Sequence, residues 1–483
     1  MKKISPEYIS SALRCKFFKN SDELVSGVFI DSRKVTDGGI FFCIIGNVND
    51  AHKFIPDVQK TGCKNIVLSD INWANKLIDE GGTNIYLVED TTRALMDLAT
   101  KYFADWKNII KIGVTGSDGK TSTKEFLYSA LSSKYRVGKT KGNFNSEYGV
   151  ALTIFDFEDD IEVAVIEMGV GDTTRMGDLR NIVDPDGAII TNIGTSHLET
   201  FKTRENLAIE KLKIAEGFDK KNPLVVNSDN DILGSEKLLN LIKGDPYVIK
   251  VGTKNNSSYK IYDIKDLGID GIKCKLRFSD DIIEKMKKAG KTSNKSSEVA
   301  DLNLRAIGRH NLLNATEALA LAVGIGVPLC DAIEGINKTD ININEKRLDI
   351  IRAKDWTIIN DTYNASPESM IAGIDVLINS KASRYVSILG DMLELGQNSE
   401  EGHMIVGKYL ACKGVDLLIT VGERARDIAR GARENGIRNI IEYKDLDEAK
   451  DNIRRNICKG DLILIKASRG MMLENIAEEL KCI

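Results

Sequence analysis

Gly113-Val-Thr-Gly-Ser-Asp-Gly-Lys-Thr-Ser-Thr-Lys124 lies where one periodicity gives way to another. Ahead of it Ile109, Ile110, Ile112 and Val114 form a short apolar run suited to a buried strand, and behind it Phe126, Leu127, Ala130 and Leu131 recur at helical spacing. A strand-to-helix turn carrying Gly116 and Gly119 is where backbone N–H groups can converge on phosphate oxygens, at the positive end of the following helix. Thr115, Gly116, Ser117, Asp118, Gly119, Lys120, Thr121 and Ser122 are therefore candidate nucleotide-binding residues. Lys120 is placed to meet the β/γ-phosphates, and the Thr121 hydroxyl a Mg²⁺ ion. The strict Gly-x-x-x-x-Gly-Lys pattern wants a glycine where this chain has Val114, so the loop is a variant. A chance glycine-rich turn is the alternative, disfavoured because Gly-Lys-Thr falls on the helix start.

Working outward, 483 residues exceed one ordinary core and suggest about three domains. A hydrophobic content of 42% with 29% charged residues fits a soluble globular chain. The net charge of −4 gives no basic field to draw nucleic acid or an anionic membrane, so neither is expected as a partner. The start, Met1-Lys-Lys-Ile-Ser-Pro6, lacks the apolar core of a signal peptide, and no run approaches a membrane span. A cytoplasmic location is expected. Eight cysteines are scattered without a C-x-x-C pair, which argues for buried free thiols rather than a zinc site or a disulfide framework.

Residues 1–105 alternate short apolar runs (28–30, 40–45, 65–68, 85–88) with helical patterns such as 92–106, as in a small α/β domain. Asp31-Ser-Arg33 and the 46–52 stretch ending in His52 follow strands, where a loop can hold a ligand. Turn chemistry beside a solvated Arg33 is the plainer reading. From the phosphate loop to about residue 340, continued alternation implies a mostly parallel sheet covered on both faces. Glu167 ends one of its strands, and His197 follows the strand at 188–193, ahead of a helix carrying Glu210 and Lys211. A carboxylate and an imidazole at strand tips on the loop side of one sheet are plausible ligands for a divalent cation. Residues 288–298, rich in Lys, Ser and Asn, read as a mobile surface loop, and Arg309-His-Asn-Leu-Leu-Asn314 opens a long apolar helix whose amides either cap it or face a base. From 341, strands at 349–359, 384–389, 415–421, 439–443 and 461–465 alternate with helices as in a Rossmann-like domain, though without Gly-x-Gly-x-x-Gly.

Two short matches to guanine-nucleotide signatures, Asp184-Pro-Asp-Gly187 and Asn337-Lys-Thr-Asp340, sit in the wrong places. The first precedes a strand instead of following one, and the second follows a helical pattern, 331–336.

Taken in order, Asp31-Ser-Arg33, the variant phosphate loop, Gly142-Asn-Phe-Asn145, Glu167-Met-Gly169, Thr191 to Glu199, Glu210-Lys211, His310-Asn311, Asp361 to Pro367, Gly390 to Gly396 and Lys466 to Gly470 resemble the ATP-dependent Mur peptide ligases of cell-wall synthesis. Tyr363-Asn-Ala-Ser-Pro367 and Gly390-Asp-Met-Leu-Glu-Leu-Gly396 resemble the dipeptide-adding branch rather than its amino-acid-adding sisters. A sister ligase or a folylpolyglutamate-type ligase is the alternative. Asp118 and Ser366 stand where that branch usually has Asn, and Ala51 where it usually has Gly.

The resemblance implies an α/β protein of three domains: 1–105, binding the UDP-substrate, 106–340, a P-loop ATPase-like domain with a mostly parallel sheet, and 341–483, Rossmann-like. It further implies a monomer that uses ATP and two Mg²⁺ ions to join D-alanyl-D-alanine to UDP-N-acetylmuramoyl-tripeptide. Lys120, Glu167, His197 and Lys211 would carry the chemistry, with Thr121, Glu167, His197 and a carbamylated Lys211 on the metal ions. Asn311, Arg347 and Asp361 would contact the nucleotide, and Ser32, Arg33, Asn143 and Asn145 the UDP-sugar peptide.

Overall fold

A computed structural model of the chain describes residues 1–46, 49–288, 299–339, 348–393 and 395–481. Arg347 and the loop expected at 288–298, apart from the backbone of Lys288, lie outside the described residues. The strands form three sheets, of five, nine and six members, so the chain is α/β as the alternation required. By contacts it divides into two compact units, 1–113 with 135–187 and 114–134 with 188–483. The division falls inside the strand Ile110–Thr115 that leads into the phosphate loop.

In the first unit the five-stranded sheet runs in the order Lys16–Phe18, Asn84–Leu87, Asn65–Leu68, Gly39–Phe42, Gly27–Phe29. All pairs are parallel except the edge strand Lys16–Phe18, which is antiparallel to its neighbour. Aspartates start its helices and turns: Asp31, Asp50, Asp70 and Asp90 each accept from a backbone N–H two residues on, satisfying donors that a helix start leaves open. His52 is a staple of this fold. Its ring is 1% exposed, Nδ1 lies 2.6 Å from Asp50, and Nε2 accepts from the amides of Ser69 and Asp70.

In the second unit the strand Gly187–Ile190 is followed across the sheet by Pro223–Asn227, Tyr247–Gly252 and Tyr259–Asp266, all parallel, and then by Ile272–Phe278 and Val299–Leu304, both antiparallel. Ile272–Phe278 alternates buried and exposed residues, as a strand with one covered face must. The helix Arg309–Gly324 is buried nearly all round, because it lies between the phosphate-loop helix Lys120–Leu131 and the strands at 223–227 and 247–252. Asn337 lies on the helix Leu329–Lys338, which removes the guanine-nucleotide reading.

Glu317, on the Arg309–Gly324 helix, is fully buried with both carboxyl oxygens unpartnered among the described residues. Burial pushes its pKa well above the usual carboxylate range. The unfolded chain releases this proton at lower pH than the folded one, so its contribution to stability falls as pH rises above the ordinary carboxylate pKa and until the folded value is passed. Glu317→Leu should raise the midpoint of urea unfolding by the equivalent of about 2 kcal/mol and flatten that pH dependence. An unchanged or lower midpoint at pH 8 would contradict the burial penalty.

The six-stranded sheet runs Asp349–Arg352, Thr357–Asp361, Asp461–Lys466, Arg384–Gly390, Leu417–Val421, Ile440–Tyr443. The single strand expected at 349–359 is a hairpin, Asp349–Arg352 antiparallel to Thr357–Asp361, closed by the Ala353 N–H on the Trp356 carbonyl. The four-residue reversal holds no glycine or proline, and Asp355 is its sole turn-favouring residue. All other pairs are parallel, which sets the loops after 361, 390 and 466 at one end of three neighbouring strands. Of the seven described cysteines, all free, only Cys43, Cys63 and Cys274 are buried; Cys330, Cys412 and Cys458 are exposed. The expectation of buried thiols therefore holds for fewer than half.

Candidate active site

The phosphate loop is shaped by the strand beside it. Thr191 N–H donates to the Thr115 carbonyl, Ser117 N–H to the Asn192 carbonyl, and Asp118 N–H to Asn192 Oδ1 at 2.9 Å. Thr191 Oγ1 donates to the Asp118 carbonyl at 2.5 Å, and Gly194 N–H to Ser117 Oγ at 2.9 Å. Both glycines are required. A Cβ on Gly116 (φ 151°) would stand 1.9 Å from Thr191 Oγ1, and one on Gly119 (φ 81°) 2.5 Å from Asn314 Oδ1. Gly119 starts the Lys120–Leu131 helix without a side-chain cap, at the positive end of the helix dipole, where an anion is favoured.

Two amines converge on one carbonyl of this loop. Lys120 Nζ donates to the Gly116 and Ser117 carbonyls at 2.8 and 2.9 Å, and Lys211 Nζ to the Gly116 carbonyl at 3.0 Å. Lys211 comes from the helix Arg204–Leu212, started by Thr203, and is 1% exposed. Burial, and next the Lys120 charge, hold its pKa well below that of an ordinary lysine, against the opposing pull of Asp118 and Glu210. The amine is thereby biased toward its neutral, nucleophilic form. A glycine-lined cradle with no room for a Cβ and an amine beside it suit a polyphosphate.

His197 stands in the left-handed region (φ 61°, ψ 23°), half-buried, and begins the short helix Leu198–Phe201. A non-glycine residue held there is strained, as functional residues often are. The preceding carbonyl of Ile193 is fixed by Arg204 and Asn230, and Arg204 forks onto Asp231. In the same unit, Asn311 is 2% exposed, with Nδ2 on the Ile307 carbonyl and Oδ1 accepting from Asn314. Asp361 is paired with the buried Lys466 at 2.7 Å and accepts the Leu348 N–H. Ser366 caps the helix Pro367–Asn379 in a capping box and reaches Asp118 Oδ2 at 3.5 Å, so the two departures from the family's asparagines meet. Thr195 Oγ1 lies 3.3 Å from both oxygens of Glu368, on the first turn of that helix.

In the other unit, Glu167 is 1% exposed and accepts from Asn145 Nδ2 at 2.9 Å, while its N–H donates to Thr140 Oγ1. Asn145 is thus tied to the expected metal ligand, and Asn143 lies exposed two residues before it. Ser32 and Arg33 form a single helical turn, with the Arg33 guanidinium forked onto Asp31 at 2.9 and 2.8 Å and otherwise in solvent. That pairing holds the Asp31 carboxyl down to about 2. Among the described residues no three His, Cys, Asp or Glu side chains form a ready cation site.

Sequence reasoning gave no individual role to Asn192 or His403, and for Asn314 offered a cap or a base contact, whereas Asn192 bonds the loop and Asn314 packs against Gly119. The one signal was spacing: Asn314 is three residues beyond Asn311, on the same helical face.

A phosphate loop heading a largely parallel sheet, with a Rossmann-like sheet further along the chain, defines the class of P-loop nucleotide-binding α/β proteins. The Mur ligase middle domain matches residues 114–322, and the Mur ligase glutamate ligase domain residues 346–469. The chain is 32% identical over 472 residues to UDP-N-acetylmuramoyl-tripeptide–D-alanyl-D-alanine ligase of Bacillus subtilis, covering 95% of this chain and 93% of that one. Crystal structure I of MurF from Acinetobacter baumannii superposes with a TM-score of 0.87 at 25% identity, over the whole of both chains. The MurF ligase of Thermotoga maritima, in complex with ADP, superposes with a TM-score of 0.77 at 26% identity over 96% of this chain and 98% of that one. The chain belongs to the Mur ligase family. It is an enzyme, a ligase, and no helix among the described residues is long and apolar enough to cross a membrane.

Proposed function

We propose that this chain joins D-alanyl-D-alanine to the tripeptide carboxylate of UDP-N-acetylmuramoyl-tripeptide, with conversion of ATP to ADP and phosphate, in cytoplasmic peptidoglycan-precursor synthesis. The observation that carries this reading is the pair of amines, Lys120 and Lys211, on the Gly116 carbonyl of a loop that excludes any Cβ. Domain limits at 105/106 and 340/341 go with it.

Joining an amine to a carboxylate in water needs activation. The tripeptide carboxylate attacks the γ-phosphorus, a P–O bond to the β-phosphate breaks, and an acyl phosphate and ADP result. The dipeptide amine then adds to the acyl carbon and phosphate leaves. Such transfer depends on positioning and charge neutralisation rather than covalent catalysis by the protein. Gly116, Gly119, Lys120 and Thr121 hold the triphosphate at the helix start, and Lys120 brings a cation to the transferring group. Thr115 and Asp118 shape the loop, Asn311, Arg347 and Asp361 orient the nucleoside, and Ser32, Arg33, Asn143 and Asn145 contact the UDP-sugar peptide. Mg²⁺, held by Thr121, Glu167, His197 and a carbamylated Lys211, would offset phosphate charge and draw the substrate carboxylate into place. Addition of CO₂ to the neutral Lys211 amine forms an N–C bond and releases a proton, converting a nitrogen donor into an oxygen ligand.

Phosphate release with UDP-N-acetylmuramoyl-tripeptide and ATP should depend on D-alanyl-D-alanine and not on free amino acids. Hydroxylamine in place of the dipeptide should yield a hydroxamate of the UDP-linked peptide. Equal stimulation by a single amino acid would favour a sister ligase instead.

A further inference from the structure

The loop after the Arg384–Gly390 strand is held by a histidine that the reaction does not use. His403, on the helix Ser399–Lys413, is 0% exposed. Its Nδ1 lies 2.6 Å from the Ser399 carbonyl, which can only accept, so Nδ1 carries the proton. Nε2 is then an acceptor, and takes the Met392 N–H at 2.9 Å. Both ring nitrogens are satisfied only in the neutral form, and burial lowers the ring's pKa in keeping with this.

The same loop is fastened at other points. Leu393 N–H donates to Ser468 Oγ at 2.8 Å, Ser468 N–H to the Asp391 carbonyl at 3.0 Å, and Ala425 N–H to Asp391 Oδ1 at 2.7 Å. At its far end Gly396 (φ 56°) packs on the helix that His197 begins: a Cβ there would stand 2.7 Å from Glu199 Cγ. Glu394 lies outside the described residues. The strand order adds a direction. Thr357–Asp361, which brings Asp361, and Arg384–Gly390, which brings this loop, flank Asp461–Lys466 on opposite sides. Asp361 thus stands on one flank of Asp461–Lys466, and Gly396 meets the helix begun by His197 from the other.

Resting on the ligase reading above, we propose that His403 is a positioning residue of the amine-substrate site, fixing Met392 and with it the loop that borders the incoming dipeptide. A buried amide donor left without its acceptor keeps an uncompensated desolvation cost, enough to release a loop held by so few bonds. Gln can offer an acceptor oxygen in place of Nε2, whereas Phe fills the space and offers none.

The test measures KM for D-alanyl-D-alanine, KM for ATP and the hydroxamate yield without dipeptide, in wild type, His403→Gln and His403→Phe. His403→Phe should raise the dipeptide KM about tenfold or more and leave the ATP KM and the hydroxamate yield within about threefold, and His403→Gln should bring the dipeptide KM back to within about threefold of wild type. An unchanged dipeptide KM in a folded His403→Phe, an equal rise in both KM values, or no rescue by Gln would overturn the proposal. Should His403→Phe fail to fold, Ser468→Ala removes the Leu393 anchor of the same loop and must shift the same KM; no shift there also overturns it. A wild-type enzyme that released no phosphate with these substrates would instead overturn the proposed function.

Discussion

Lys211→Ala should be nearly inactive and should regain activity when a small carboxylic acid is added. Lys211 sits on the Gly116 carbonyl at 3.0 Å, 1% exposed, with Lys120 bonded to the same oxygen. Two full positive charges so placed repel in a site of low polarity, and desolvation adds to the penalty. Both effects favour the neutral amine, the form that combines with CO₂. Replacing it by a methyl group removes the hydrogen bond to the loop and, with it, the anionic oxygens of the proposed carbamate, and losing one such charge-stabilising group should lower turnover by on the order of 10²–10³-fold. Because alanine leaves a space, acetate or formate should partly restore the rate. Wild type should lose activity when CO₂ is stripped and recover it with bicarbonate. Full activity of Lys211→Ala, with no response of wild type to CO₂, would sink the carbamate.

Lys120→Ala should abolish ligation while leaving the unfolding transition near that of wild type. Lys120 is half-buried at the first position of its helix and donates to the Gly116 and Ser117 carbonyls. The Gly116 carbonyl keeps its bond from Lys211 when the Lys120 donor is lost, which limits the cost to the fold. The transferring phosphoryl group has no such substitute for a fixed cation, and the rate should fall on the order of 10²-fold or more. The hydroxamate yield should fall in parallel, since the role proposed for Lys120 is in phosphoryl transfer, before the amine arrives. A folded Lys120→Ala with turnover within about threefold of wild type would remove the loop from the mechanism.

The two predictions separate the steps that the amines serve. Loss of hydroxamate with retained nucleotide binding marks a defect in phosphoryl transfer, whereas the His403 variants should leave that half-reaction intact and weaken only the dipeptide. A variant that lost everything together would report on folding alone.

Local chemistry was legible in the sequence wherever one short segment carries both the residues and their geometry. The strand, two glycines, Lys120 and helix start occupy consecutive positions, so the phosphate loop could be read without a partner. The alternation of apolar runs with helical spacing likewise sufficed for α/β architecture. What only the tertiary structure decided depends on segments far apart in the chain. Lys211 is an ordinary helix lysine by its neighbours; its burial against Gly116 brings together residues 95 positions apart. Asp118 and Ser366 meet across 248 positions, and Met392 depends on His403, whose tautomer is set by the Ser399 carbonyl. The hairpin at 349–361 was missed because its turn holds no glycine or proline and Asp355 is its sole turn-favouring residue. Periodicity and turn chemistry act within a few residues, so they are written in the sequence. Desolvation, and the pKa and hydrogen-bond consequences that follow from it, belong to whatever the folded chain places around a side chain.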